Sequence, residues 1–150
     1  KKVGVVYQNP DYQLFMQTVE KEIKFGAKSD EYADEIAEKF GIKHLYARHP
    51  QSLSEGQKRR VSIAAVVATD PEVLILDEPT VGQDYKGLCE MVEVLNKLHE
   101  EAHNTMITVT HDKRCAAALC DKSVWIKNGK TYKTGGKELV DEFFIQIGVN

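Results

Sequence analysis

Two short stretches bring together residue types that can handle a phosphate. Val73-Leu74-Ile75-Leu76 is an unbroken apolar run that ends in Asp77-Glu78 and then Pro79. Such a run predicts a fully buried parallel strand, and ligands of open α/β sheets gather at the carboxyl ends of such strands. A buried carboxylate there needs a partner such as Mg²⁺. With one carboxylate on the ion and its neighbour beside an attacking water, the pair suits phosphoryl hydrolysis. An ordinary strand that ends in Asp-Glu presents the same residues, so this stretch alone decides nothing.

The second stretch is Leu53-Ser54-Glu55-Gly56-Gln57, which runs into Lys58-Arg59-Arg60. Ser54 and Gln57 have the spacing of a capping box, and Ser52 with Glu55 forms a competing one. Val61, Ala64, Ala65 and Ala68 then recur at helical spacing as a buried face. Capping accounts for Ser54 but not for Gly56, which weakens the first turn while letting a ligand approach the backbone. A helix N-terminus with a hydroxyl and a glycine is a phosphate site.

Together these phrases resemble the ATP-binding-cassette (ABC) ATPases. Leu53 to Gln57 is similar to the family's signature motif, Leu74 to Glu78 to its Walker B strand, and Pro79 to Asp84 to its D-loop. Thr110-His111-Asp112 resembles the switch-histidine region, and Gln8 in Val6-Tyr7-Gln8-Asn9-Pro10 matches the Q-loop glutamine. The five motifs stand in family order. Gln8 to Phe15, then Thr18-Val19, further resembles the cassettes of cobalt, nickel and vitamin importers of the energy-coupling-factor type.

The resemblance implies ATP and Mg²⁺ as ligands, and two cassettes closing head to tail. On that pattern Ser54, Gly56 and Gln57 touch the γ-phosphate held by the opposite subunit. Asp77 holds Mg²⁺ through water, and Gln8 senses the ion and the attacking water. Glu78 polarises that water, His111 stabilises the transferred phosphoryl, and Asp84 crosses the dimer seam. Leu14 and Phe15 would face a transmembrane subunit, with Asp11 and Glu20 as a polar rim. Two residues depart from the pattern. Glu55 replaces a glycine, and it either brings negative charge to an anionic ligand or points to solvent at a helix N-terminus. Gln83 replaces the usual leucine.

The elements that must position these residues can be read in order. Val3 to Tyr7 predicts a buried strand. Ser29-Asp30 caps a helix through about Phe40, with Tyr32, Ile36, Ala37 and Phe40 on one face and Gly41 as the stop. Residues 42–52 hold a short helical piece and a loop, and the signature helix ends near Thr69-Asp70-Pro71. A helix after Asp84, running to about Ala102, buries Leu88, Val92, Leu95 and Leu98. His99 and His103 lie one turn apart on it, but an exposed helix face explains them without a metal. Thr105 to Thr110 is a strand that delivers His111 to the sheet edge of Asp77 and Glu78. Asp112 to Cys120 is helical, Asn128-Gly129 turns a hairpin of type I′, and an amphipathic helix ends near Ile147. The expected fold is α/β, an incomplete P-loop NTPase-like cassette. It comprises a parallel sheet flanked by helices and a helical signature subdomain, divided at about 9–70 and 71–150.

No G-x-x-x-x-G-K-S/T pattern occurs among the ten glycines; Gly82 and Gly87 have the spacing, but Leu88 and Cys89 follow. The expectation is that these residues are the back part of a longer cassette, inactive alone. A natural regulatory module without hydrolysis would leave Glu78 and His111 without purpose. A hydrophobic content of 42% supports a core, and a net charge of −3 gives no electrostatic case for nucleic acid. The basic cluster at Lys58-Arg59-Arg60 predicts a solvated helix face. Cys89, Cys115 and Cys120 are odd in number and lack metal spacing, which suits a reducing compartment. No apolar run reaches transmembrane length. The expected protein is therefore a cytoplasmic ATPase subunit, peripheral on the inner face of the plasma membrane through its partners. Those partners are a second cassette, identical or different, and a transmembrane subunit. An ABC ATPase of translation, DNA repair or chromosome organisation is the alternative.

Overall fold

The computed structural model describes residues 2–102 and 104–148 and divides into two compact units, Lys1–Val109 and Thr110–Asn150. The first unit holds a parallel sheet of β1 (Val3–Val6), β2 (Val73–Asp77) and β3 (Thr105–Val109), in the order β1-β2-β3. The register aligns Val6 with Leu76 and Asp77 with Val109, so the carboxyl ends of all three strands share one edge.

Among the described residues this unit holds the helices α1 (Val19–Lys24), α2 (Asp30–Lys39), α3 (Glu55–Val67) and α4 (Tyr85–Ala102). Ser29 caps α2 by accepting from the Tyr32 amide, and Gly41 leaves it at φ +65°, as the sequence predicts. Two 3-10 turns, Lys43–Leu45 and Pro50–Ser52, fill the stretch before α3. Helix α3 packs against α1, α2 and β1. The approach to β1 is close: a Cβ on Gly4 would stand 2.6 Å from Val66 Cγ1. Helix α1 has no counterpart in the sequence reading; Thr18 caps it by accepting from the Lys21 amide.

Burial along β2 alternates, which corrects the expectation of a fully buried strand. Leu74 and Leu76 are buried, whereas Val73 and Ile75 are half-buried. The register puts Val3, Val5, Val73, Ile75, Ile107 and Val109 on one face. Of these, Val3, Ile107 and Val109 are exposed. Parallel sheets are ordinarily covered on both faces, and here the helices of the unit cover one.

The second unit contains α5 (Lys113–Leu119), the hairpin β4 (Ser123–Lys127) and β5 (Lys130–Gly135), and α6 (Lys137–Gln146). Asn128 and Gly129 both have positive φ, the signature of the I′ turn. Trp125 stacks edge-on against Tyr132 and Phe143, each with centroids 5.0 Å apart, which fastens α6 to the hairpin. Among the described residues, no helix is long and apolar enough to cross a membrane.

Candidate functional site

The sheet's carboxyl edge carries the candidate carboxylates. Asp77 ends β2, and Glu78 follows at φ +50° with 8% of its surface exposed, its amide donating to the Val109 carbonyl at 2.8 Å. A left-handed non-glycine residue costs on the order of 1–2 kcal/mol. Such strain at a buried carboxylate marks a residue aimed by its surroundings. Gln8 lies two residues beyond Val6 at the same edge and is exposed.

Ser54 caps α3, and the predicted capping box forms with Gln57 rather than with Ser52 and Glu55. Ser54 Oγ accepts from the Gln57 amide at 3.3 Å, and Gln57 Oε1 accepts from the Ser54 amide at 3.1 Å. The first bond uses a lone pair of the hydroxyl and not its hydrogen, so Ser54 can still donate to an anion. Glu55 has an exposed side chain, 3.8 Å from Lys58 Nζ. Its charge therefore stands toward solvent.

The basic cluster is not a solvated face. Lys58 and Arg59 are buried and Arg60 is half-buried, because each finds fixed acceptors. Lys58 Nζ bonds Asp11 at 2.8 Å, and Arg60 Nη2 bonds Glu90 at 2.8 Å. Arg59 Nη1 donates to the Tyr7 carbonyl at 2.7 Å and Nη2 donates to the Gln8 carbonyl. Helix α3 thus grips the backbone at Tyr7 and Gln8. Burial pushes the Arg59 pKa down, while the carboxylates of Glu55, Asp77 and Glu78 push it back up. Its Nε is buried without a hydrogen-bond partner among the described residues.

Two further groups shape this loop and went unread in the sequence. The Gln13 amide stands in for a neighbouring strand beside β1, accepting from the Tyr7 amide and donating to the Val5 carbonyl, both at 2.8 Å. Glu22 is buried, and its Oε2 accepts from the amides of Phe15 at 3.0 Å and Met16 at 2.7 Å. Burial raises the Glu22 pKa above its ordinary value, and the two amides oppose that rise.

Leu14 and Phe15 do not form a surface pair, which corrects that expectation. Leu14 is 5% exposed and joins the core, whereas Phe15 is 66% exposed and meets Phe25 edge-on at 5.3 Å. Both line a groove of about 290 Å³ beside Val3 and Val5. Asp11 and Glu20 are committed to Lys58 and Lys24.

Asp84 precedes α4, its Oδ1 accepting from the Gly87 amide at 2.7 Å. His111 belongs to the second unit, just ahead of Asp112, which caps α5 by accepting from the amides of Arg114 and Cys115. Of the two spaced histidines, His99 Nδ1 lies 3.4 Å from Asn104 Oδ1, and His103 is outside the described residues. Among the described residues, no group of three or more His, Cys, Asp or Glu side chains is placed to hold a metal alone.

The ABC transporter family matches over residues 1–81. The energy-coupling factor transporter ATP-binding protein EcfA2 of Enterococcus faecalis is 44% identical over 149 residues, covering 93% of this chain and 52% of its own length. The chain therefore spans about half the length of that relative. CbiO1 of Clostridium perfringens, part of the ABC transporter complex cbiONQ, superposes with a TM-score of 0.80 at 34% identity, over 97% of this chain and 62% of its own. The ATP-binding cassette MJ0796, seen as a dimer in a post-hydrolysis state with ADP and Pi, also gives 0.80 at 25% identity, over 91% of this chain and 63% of its own. With an α/β architecture shared with solved cassettes and half of its length matched by the family, this chain belongs to the ABC transporter family.

Proposed function

We propose that the protein carrying this chain is the ATP-hydrolysing subunit of an ABC importer of the energy-coupling-factor type. The observation that carries this reading is the Asp77-Glu78 pair at the end of the central strand, with Glu78 buried and left-handed. The relatives' names support the transport setting.

Residues 1–150 act as the back part of a longer cassette. Two observations support this: the relative is about twice as long, and one apolar sheet face lies open. ATP sits on a phosphate cradle contributed from outside this chain, and residues 1–150 alone do not hydrolyse it. Ser54 and the first amides of α3 donate to the γ-phosphate held by the opposite cassette, while Gln57 braces Ser54. Glu78 accepts a proton from the attacking water, and His111 donates to the phosphoryl oxygens. Asp84 meets the opposite subunit at the seam.

The Asp77 carboxylate and the Gln8 amide oxygen are hard oxygen donors at one edge, and they fit Mg²⁺ when water and phosphate complete its shell. Bound there, Mg²⁺ would neutralise charge on the phosphates. Phe15, exposed after the loop of Gln8, meets an apolar segment of the transmembrane subunit. The protein therefore sits on the inner face of the plasma membrane through that subunit.

Purification of the native complex from membranes tests this function. Co-purification with an integral membrane subunit, and ATP-dependent solute uptake after reconstitution, supports it. A native complex with ribosomes or DNA and without a membrane protein contradicts it.

A further inference from the structure

Gln83 stands where the ABC pattern has leucine, and both ends of its amide are used. Nε2 donates to the Gly56 carbonyl at 2.9 Å, and Oε1 accepts from Arg60 Nε at 3.5 Å. Contact between the two segments is tight. A Cβ on Gly56 would lie 3.1 Å from both Gln83 Nε2 and the Gly82 carbonyl oxygen. Gly82 adopts φ +80°, which turns the loop back toward α3. On the other side, a Cβ on Gly87 would lie 2.7 Å from Gln83 Oε1 and 2.9 Å from Asp84 Oδ1. The bond from Arg60 Nη2 to Glu90 then ties α3 to α4. Gln83 is the link in this chain of contacts that joins the loop before α4 to the first turn of α3.

We propose that Gln83 is a positioning residue that locks the loop of residues 80–84 onto the first turn of the signature helix. The turn bearing Ser54 and Gly56 and the seam residue Asp84 then move as one block and meet the opposite, ATP-loaded cassette together. This rests on the dimer mechanism above. Leucine, the family's usual residue, fills similar space but neither donates to Gly56 nor accepts from Arg60. In a chain with leucine both amide bonds are absent, and the loop is held to α3 by packing and by the Arg60–Glu90 bridge alone.

The test uses the full-length protein as wild type, Gln83→Leu and Gln83→Met, the second keeping the length of the side chain without its amide. Three properties are measured: amide hydrogen exchange in the nucleotide-free state, the ATP concentration that drives dimerisation, and melting temperature with ATP affinity of the monomer. Loss of one such hydrogen bond corresponds to about a fivefold change in equilibrium. The expected result is exchange about fivefold faster in residues 80–84 and an ATP requirement for dimerisation about fivefold higher. Melting temperature falls by no more than about 2–4 °C, the loss one such bond implies, and monomer ATP affinity stays at the wild-type value. A larger fall in melting temperature, with faster exchange throughout α3 and α4, would reduce Gln83 to a packing residue and overturn the proposal. Unchanged exchange together with normal ATP-driven dimerisation overturns the role of Gln83 alone. A wild-type protein that does not dimerise with ATP overturns the dimer mechanism, and this proposal with it.

Discussion

Arg59 of the signature helix donates to the backbone carbonyl of Gln8, the residue expected to sense the ion and the attacking water. A second bond, to the Tyr7 carbonyl, makes the grip two-pronged. The helix that carries Ser54 and Gly56 is therefore joined to the loop of Gln8 through a buried guanidinium.

Lysine at this position keeps the charge but lacks the planar fork that serves two carbonyls. A hydrogen bond from a charged group contributes about 1.5–3 kcal/mol. Arg59→Lys in the full-length protein is expected to lose stability of that order in a denaturant titration. A shifted Gln8 also slows hydrolysis by about tenfold or more. Wild-type stability and rate in this variant would show that the grip is dispensable.

Leu14 and Phe15 should part company on mutation. Leu14→Ala empties a core site and costs about 2–5 kcal/mol, read as a lower melting temperature. Phe15→Ala removes an exposed ring that touches Phe25, so stability changes little while affinity for the membrane subunit falls. Equal melting temperatures for the two variants would contradict the division.

Much of this was legible in the residues, and the exceptions have physical causes. The ends of α2 announced themselves because Ser29 and Gly41 each satisfy a local backbone need. The I′ turn at Asn128-Gly129 is equally local. The burial of Lys58-Arg59-Arg60 was not legible, since its acceptors come from Asp11, from Glu90 and from carbonyls about fifty residues away. Helix α1 spans six residues, too few to show a period. Gln13 and Glu22 act by mimicking or capping backbone, a role that leaves no trace in composition. Among the site residues, Ser54, Gly56, Asp77 and Glu78 lie at the ends of the elements that their spacing indicated, whereas Leu14 was read as surface and is core.

Glu22 supplies a test in pH. Its carboxyl is raised above the ordinary 4.5 by burial. A raised carboxyl in the folded state favours folding when protonated, so its contribution is present below about pH 4.5 and is lost as pH rises through the folded value. Glu22→Gln keeps an oxygen for the Phe15 and Met16 amides and removes the titration. The variant is expected to match or exceed wild-type stability near neutral pH and to gain less on mild acidification. Thermal melting of both proteins between pH 4.5 and 8 checks this. A variant destabilised at neutral pH would mean that the charge itself is needed by the two amides.

Residues 1–150 as a separate polypeptide contain no lysine-bearing glycine loop for the β- and γ-phosphates. Calorimetry on that polypeptide should register no micromolar affinity for ATP. Tight binding would mean that this stretch carries its own phosphate cradle.

The central claim is that Glu78 is the base for the attacking water, and Glu78→Gln tests it most directly. The substitution keeps size and shape but cannot take the proton, so turnover of the full-length protein should fall by about 10²-fold or more. ATP binding survives, the melting temperature is unchanged, and the ATP-bound dimer accumulates in sedimentation. Hydrolysis by Glu78→Gln at a rate close to wild type would contradict the account.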